Sequence, residues 1–144
     1  MPSPRRAVVG WDNNRLAMVI AVLNSRFGLS LYDKEVYLNI VGGIEIEETA
    51  ADLAVACALI SSARNFAIPS STIALGEIGL TGEIRMISNL EDRLKEASKL
   101  GFKNCIIPKA NTKSKNFAAI KKSLGDMKIT PVAHIKDLRD VFGG

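Results

Sequence analysis

The stretch from Asn39 to Ser62 constrains the fold more than any other part of the chain. It begins as a predicted strand, turns at Gly42–Gly43, passes through an acidic run and enters a helix. In that helix, residues 53–60 are all apolar and none is charged. A helix that is apolar on every side is buried on every side, and this run is far shorter than the roughly 20 residues that cross a bilayer. We therefore expect a central helix enclosed by the other elements of a soluble domain.

Composition favours one ordered domain. The 144 residues suit a single core, and a charged fraction of 24% alongside 47% hydrophobic residues argues against disorder. The opening run MPSPRR lacks the apolar segment of a signal peptide. Pro2 and Pro4 discourage regular structure, so we expect a disordered leader at residues 1–4, the scar of a longer protein, and one domain at residues 5–144. Cys57 and Cys105 lie among apolar residues without metal-ligand spacing, which predicts two reduced core residues of a cytoplasmic protein.

Charge is distributed unevenly along the chain. The net charge is +4, and residues 101–144 hold nine Lys or Arg against three Asp or Glu. Residues 45–52 hold four acids and no base. A basic surplus of this size is compatible with nucleic-acid binding, and equally with lysines that only keep helix surfaces hydrated. The sequence leaves both interpretations open.

The order of predicted elements indicates an α/β domain with a mixed sheet. Helices and strands alternate, which favours parallel crossovers, and one predicted hairpin around residues 79–82 interrupts them. The predicted elements are a strand at 5–11, a helix at 12–27, a strand at 35–41, the central helix capped by Glu48 or Thr49, strands at 72–77 and 83–87, a helix capped by Asn89 and ended by Gly101, a strand at 104–107, a helix at 114–124, a strand at 129–134 and a helix at 136–142.

Most catalytic motifs are missing from the sequence. There is no G-x-x-x-x-G-K-[ST] run, and the glycines of residues 76–82 do not form G-x-G-x-x-G, so no phosphate cradle is predicted. The single histidine, His134, lies in an apolar strand and is expected to be structural. A Ser-His-Asp triad would need this same residue. A Ser/Lys dyad, in which a desolvated lysine activates the serine, is the chemistry that needs no histidine.

Two runs of the sequence resemble the two halves of the Lon protease domain. They are VGGIEIEETAADLAVACAL at residues 41–59 and GEIGLTGEIRMISNLEDRLKEASKLGFKNCIIP at residues 76–108. In Lon enzymes the nucleophilic serine lies in a D-G-P-S-A-G turn, and the matching position here is Ala50. The lysine of the Lon G-G-L-K run matches Glu91. The resemblance therefore implies a Lon-like β-α-β architecture without either member of the dyad, that is, a catalytically degenerate pseudo-protease.

With Ala50 and Glu91 at the dyad positions, the chain resembles the C-terminal Lon-like domain of the RadA/Sms family over about residues 4–142. The two runs above and the opening PRRAVVGWDNNRLAMVIAVL carry this resemblance. The family consists of bacterial DNA repair and recombination proteins that are ATP-dependent, form hexameric rings and work at branched DNA. Its other domains, a zinc finger and an ATPase, are not in this sequence, so ATP, Mg and Zn are implied for full-length members and no cofactor for this chain. The resemblance implies a fragment or separately expressed domain that scaffolds a homo-hexamer and contacts DNA in the bacterial cytoplasm, with neither a membrane nor a small-molecule substrate as partner.

Four arginines are the predicted DNA-binding residues. Arg5, Arg6 and Arg15 belong to the first strand and the start of the first helix, where the helix dipole disfavours cations unless an anion such as phosphate relieves the cost. Arg85 in the hairpin is expected on the same surface. With few aromatic residues to stack on bases, we expect salt-sensitive, sequence-tolerant contacts to the DNA backbone. The alternative for each arginine is a solvated surface.

The acidic residues form a predicted counterpart to these arginines. The set comprises Glu45, Glu47, Glu48, Asp52 and Glu91. These acids serve either as helix caps in contact with solvent or as a surface that meets basic residues of a neighbouring subunit.

Two other functions remain open at this point. One is a pure oligomerisation module without DNA contact. The other is a Lon-fold peptidase with a non-standard nucleophile, for which Thr49 and Ser88 are the candidates. The lysines of residues 114–128 are a weaker candidate for DNA contact than the arginines.

Overall fold

The structure, a computed structural model, describes residues 6–9, 11–31, 33–39 and 49–142. Several predictions fall outside these ranges. They are the disordered leader at residues 1–4, the predicted DNA-binding residue Arg5, the turn at Gly42–Gly43 and the acids Glu45, Glu47 and Glu48.

The described residues form an α/β domain, which confirms the α/β fold class, and the order of elements differs from the prediction at residues 72–78. The elements are β1 (Arg6–Val9), α1 (Asn13–Val22) continued by a π-helical segment (Leu23–Phe27), β2 (Val36–Asn39), a 3-10 turn (Thr49–Ala51), α2 (Asp52–Arg64), β3 (Thr72–Ala74), β4 (Glu77–Ile78), β5 (Ile84–Arg85), α3 (Leu90–Lys99), β6 (Asn104–Pro108), a 3-10 segment (Lys109–Lys113), α4 (Phe117–Ser123), β7 (Lys128–Val132), a 3-10 turn (Ile135–Asp137) and α5 (Leu138–Val141).

In the described part of the chain, the strands form three small sheets. β1 pairs with β2 in parallel, β3, β6 and β7 form a parallel sheet in that order, and β4 pairs with β5 as an antiparallel hairpin. The single strand predicted at residues 72–77 is therefore two strands. The division occurs at Gly76, whose N–H donates to the carbonyl of Ala50 at 2.9 Å, so the chain leaves the parallel sheet there.

The first helix follows its sequence pattern closely. The Asp12 side chain caps α1 by accepting from the N–H of Asn14 at 3.1 Å. Gly28 ends the helical run with φ of 91°, a left-handed conformation that costs glycine little. The apolar residues of this helix recur at i, i+3, i+4, i+7 and i+11, and all five are buried: Leu16, Val19, Ile20, Leu23 and Phe27.

The central helix α2 is less enclosed than predicted. Leu53, Ala56 and Ile60 are buried, but Ala54 and Ala58 are exposed, so the expectation of burial on every side is wrong. The exposed positions are alanines, whose small apolar area costs little to leave in water. The absence of charge around this helix therefore does not by itself show which of its faces are buried.

Two apolar cores lie on opposite faces of the parallel sheet. Alternate residues of β6 supply them: Ile106 belongs to the core shared with α1 and α2, whereas Cys105 and Ile107 belong to the core shared with α3 and α4. This alternation is the period of a strand buried on both faces. Both cysteines are free and buried as predicted, and burial raises the pKa of Cys57 and of Cys105 to about 12.

His134 ties the hairpin to the C-terminal elements and is structural, as predicted. Its Nδ1 accepts from the N–H of Lys136 at 3.1 Å, so Nε2 carries the proton and donates to the carbonyl of Thr81 at 2.8 Å. Gly82 lies against this ring with φ of +90°, and a Cβ atom there would come within 2.6 Å of His134 Cε1.

We predict that Gly82→Ala destabilises the domain more than Gly101→Ala. Both glycines have nearly the same left-handed φ, +90° and +92°, so alanine costs about 1 to 2 kcal/mol at either site. A Cβ at Gly101 meets no atom within 4 Å, whereas at Gly82 it displaces His134 and its hydrogen bonds, which adds about 1 to 3 kcal/mol. Urea unfolding of the two variants measures the difference. Equal losses would contradict the role assigned to His134.

Candidate functional site

A buried carboxylate at the start of α2 makes hydrogen bonds to two other elements. Asp52 is fully buried. Its carboxylate accepts from Arg15 Nε at 3.2 Å and from a second nitrogen of the same guanidinium, and from the N–H of Ile78 at 3.0 Å. One side chain therefore joins α1, α2 and β4.

Burial and hydrogen bonding act in opposite directions on this pair. Burial raises the pKa of Asp52, and the hydrogen bonds from Arg15 and Ile78 oppose the rise without cancelling it. The hydrogen bond to Asp52 raises the pKa of Arg15, although desolvation opposes this. The guanidinium is thus a fixed cation, and it keeps a buried carboxyl group from becoming an isolated charge.

This arrangement bears on two sequence predictions. The guanidinium of Arg15, predicted to bind DNA phosphate, is held by a carboxylate of the same chain, and only 25% of its side chain is exposed. Asp52, predicted as part of an acidic surface, lies inside the molecule. Its pairing with Arg15 was missed because the sequence signal, one arginine in the first turn of a helix, points equally to an external anion.

The predicted nucleophile position lies in a cleft of about 470 Å³ lined by Thr49, Ala50, Glu77, Met86, Ile87, Ser88 and Arg93. Ala50 is buried, with 5% of its surface exposed. The Thr49 hydroxyl donates to Glu77 Oε2 at 3.1 Å, and α2 begins without a side-chain cap. The prediction that Thr49 caps α2 is therefore wrong. Among the described residues, no lysine lines this cleft.

The predicted lysine position faces a different cleft. Glu91 lies in the first turn of α3, where its carboxylate pairs with Lys95 Nζ at 3.0 Å. It lines a neighbouring cleft of about 300 Å³ together with Asn89 and Asn111. Ile87 lines both clefts, so the two predicted dyad positions lie on either side of that residue. Asn89, predicted to cap α3, makes no side-chain cap and has φ of 59°.

The other predicted DNA-binding arginines also have partners within the chain. Arg6 donates to the carbonyl of Leu31 at 2.7 Å and to that of Lys34. Arg85 is the more exposed of the two, and 54% of its side chain is accessible. It lies between Glu77 at 3.6 Å and Glu83 at 3.4 Å. Arg6 therefore lies on β1 and Arg85 in the hairpin, and each has partners within the same chain.

Two further residues shape the clefts and were not singled out from the sequence. Arg93 lines the Ala50 cleft, and its Nε donates to the carbonyl of Ser88 at 2.9 Å. Asn111 is buried, and its side-chain amide bonds both the N–H of Ile87 at 3.1 Å and its carbonyl at 2.9 Å. An asparagine that mimics a strand neighbour in this way carries no sequence signal beyond its polarity.

Among residues 6–9, 11–31, 33–39 and 49–142, no group of three or more His, Cys, Asp or Glu side chains is placed to hold a metal ion. None of the described helices has the length and apolar character that a bilayer crossing requires.

Comparisons with known proteins place the chain beside two sets of sequences. The family model described as subunit ChlI of Mg-chelatase matches residues 8–111. The DNA repair protein RadA of Rickettsia bellii is 48% identical over 143 residues, which cover 99% of this chain and 30% of that protein. RadA of Synechocystis is 54% identical over 110 residues, 76% of this chain and 22% of the relative. RadA of Escherichia coli K12 is 41% identical over 142 residues, 99% of this chain and 29% of the relative. The chain thus spans about 30% of the length of the first of these relatives.

We predict that loss of Arg15 lowers the free energy of unfolding more than loss of the charge of Asp52. Arg15→Met leaves the Asp52 carboxylate buried without its cation and should cost about 3 to 5 kcal/mol of unfolding free energy near neutral pH. Asp52→Asn keeps an acceptor for Ile78 and leaves a guanidinium that is already partly exposed, so it should cost less. Chemical denaturation of both variants measures the asymmetry.

The loss in Arg15→Met should depend on pH. Burial already raises the pKa of Asp52, and without Arg15 the folded-state pKa rises further above that of the unfolded chain. The folded state then binds the proton more tightly, so stability is lost as pH rises through the folded pKa and regained below it. The deficit relative to the parent chain should therefore shrink as pH falls from neutral toward the ordinary pKa of an aspartate. The double variant with Asp52→Asn is the control, because residue 52 then has no carboxyl group to titrate, and its stability should not recover in this way at low pH.

Proposed function

Because the chain belongs to the ChlI family, in the form found in RadA-type DNA repair proteins, we propose that it is the non-catalytic scaffold and DNA-contacting domain of a RadA-type protein. The matches confirm the RadA/Sms resemblance drawn from the sequence. The observation that carries the proposal is the 48% identity to a DNA repair protein over 99% of the chain. The parent protein in this proposal is an ATP-dependent hexameric ring active in DNA recombination and branch migration.

The residues at the two dyad positions support a role without proteolysis. Ala50 offers a buried methyl group in place of a hydroxyl, and Glu91 offers a carboxylate that is already paired with Lys95. The hydroxyl closest in sequence, that of Thr49, is bound to Glu77. A carboxylate is a weaker activating base for a hydroxyl than a desolvated lysine. The peptidase alternative therefore has no observation in its favour.

DNA contact is assigned to exposed cations, with Arg85 as the first candidate among the described residues. Its ion pairs with Glu77 and Glu83 are long and lie at the surface, where such pairs contribute about 0 to 1 kcal/mol. A DNA phosphate can displace them at little cost. Arg15 would have to abandon a buried carboxylate, so in this proposal it acts through the fold, while Arg5 and Arg6 remain predicted contacts on the first strand.

The lysines in α4 and just before it supply a second cationic surface. Lys115, Lys121 and Lys122 are exposed, and the described part of the chain places no carboxylate in a salt bridge with them. Substitution of one of these lysines, compared with substitution of Arg85, distinguishes DNA contact at α4 from DNA contact at the hairpin. A pure oligomerisation module, the remaining alternative, would need neither surface.

We predict that Arg85→Gln weakens binding of duplex and forked DNA at low salt and reduces the slope of log affinity against log salt by about one. Lys121→Gln is the matched control, since it removes one exposed positive charge from another element, α4. Fluorescence anisotropy of labelled DNA over a salt series measures both.

Three outcomes separate the alternatives. An effect of Arg85→Gln alone supports contact at the hairpin, and an effect of Lys121→Gln alone moves the contact to α4. Absence of binding by the parent chain at low salt overturns DNA contact in favour of the oligomerisation module.

A further inference from the structure

The two edges of the parallel sheet β3–β6–β7 are built differently. The N–H of Lys128 in β7 donates to the carbonyl of Lys103, the residue before β6, so the backbone groups of Ile129 and Pro131 point away from β6. Proline has no N–H, and Lys128 is exposed. Proline and lysine are two of the features by which natural edge strands avoid pairing with other chains. The β7 edge is therefore protected.

The β3 edge carries no such protection. The N–H of Leu75 donates to the carbonyl of Ile106, and the carbonyl of Ser71 accepts from Asn104. Because alternate residues of a strand direct their backbone groups to the same side, Thr72 and Ala74 face outward. The N–H of Thr72 is used by the carbonyl of Pro69. In the described part of the chain, the carbonyl of Thr72 and both backbone groups of Ala74 have no hydrogen-bond partner.

An apolar groove runs along this open edge. It has a volume of about 380 Å³, and its apolar lining consists of Ile73, Leu75, Ala97, Leu100 and Phe102. Ile73 and Leu75 project from β3 toward α3, the side on which Leu100 lies, with 68% of that leucine exposed. Backbone groups and an apolar surface thus lie side by side, which is the combination that binds an added strand.

The rim of the groove is acidic. Asp92 and Glu96 line it on α3 together with Arg93. Glu91, the other acid of this turn, is paired with Lys95, whereas neither Asp92 nor Glu96 has a salt-bridge partner among the described residues. A ligand that places apolar side chains in the groove therefore gains from a lysine or arginine beside them.

We propose that the β3 edge binds an extended segment of another protein as an added strand. The segment has apolar side chains at alternate positions, which enter the groove, and at least one basic side chain, which faces Asp92 and Glu96. Its backbone bonds the outward groups of Thr72 and Ala74. The short edge predicts a weak and reversible complex, and the site does not depend on DNA contact.

The test uses the 144-residue chain and a synthetic probe of about eight residues that alternates valine with lysine and threonine, the period of an added strand. Nuclear magnetic resonance titration with this probe should shift the amide signals of Ile73, Ala74 and Leu100. A probe with glutamate in place of lysine should bind more weakly, and a probe methylated at alternate backbone nitrogens should not bind.

Two pairs of variants make the test specific. Leu100→Ser should weaken binding of the probe about tenfold, because it removes apolar contact in the groove. Leu80→Ser is the control: it removes a similarly exposed leucine, 74% accessible, from the hairpin turn and should leave binding of the probe unchanged. Ala74→Pro removes the outward N–H and should also weaken binding. Because proline also restricts the local backbone, Asp92→Lys is a second variant that leaves the strand intact and should weaken binding as well.

Retained binding of the methylated probe, or equal affinity of the Leu100→Ser and Leu80→Ser variants, overturns the proposal. A dimer in sedimentation that Leu100→Ser dissociates also overturns it, because the occupant is then a second copy of this chain.

Discussion

The carboxylate of Asp52 is the interaction on which the rest of the structure depends. It lies where the two cores meet, since Ala50 belongs to the core of α3 and α4 and Leu53 to the core of α1 and α2. Around it, the carbonyl of Ala50 accepts from Gly76 at 2.9 Å and the N–H of Leu53 donates to Gly76 at 3.0 Å. The first turn of α2 is thus fastened to the backbone of residues 76–78 by a short ladder that the carboxylate completes. A buried ion pair of this kind contributes little net stability but penalises every arrangement that separates its partners.

That ladder explains why the predicted strand at residues 72–77 is divided. A chain that continued along the parallel sheet would keep its backbone groups on β6, but Gly76 turns them to the start of α2. Gly76 also lacks a side chain where one would be crowded, because a Cβ atom would come within 3.0 Å of Ile84 and 3.2 Å of Leu53. The close approach of α2 and the hairpin therefore depends on glycine at this position.

Local patterns predicted the elements whose burial is regular along the chain. The stripe of α1, its Asp12 cap and the stripe of Leu90, Leu94 and Ala97 in α3 are all present, because helical spacing and capping involve near neighbours. The pairing of Arg15 with Asp52 joins residues 37 positions apart, and its signal exists only once two helices have packed. Exposure of Ala54 and Ala58 was missed for the same reason, since an apolar residue type does not reveal which side of a helix lacks a neighbour. Of the candidate site, the positions Ala50 and Glu91 were read from the resemblance, while their separation into two clefts required coordinates.

The cleft around Ala50 shows why the form of a site is poor evidence for its chemistry. Its walls are also parts of the framework: the Ala50 carbonyl holds Gly76, Thr49 holds Glu77, and Glu77 in turn faces Arg85. A cleft made of such contacts keeps its shape whether or not a nucleophile stands in it, because removing a hydroxyl leaves these bonds untouched. The fold would therefore preserve this cavity without any selection for a reaction. Function in this domain is better sought where the framework leaves groups unused, at the exposed cations and at the open edge of β3.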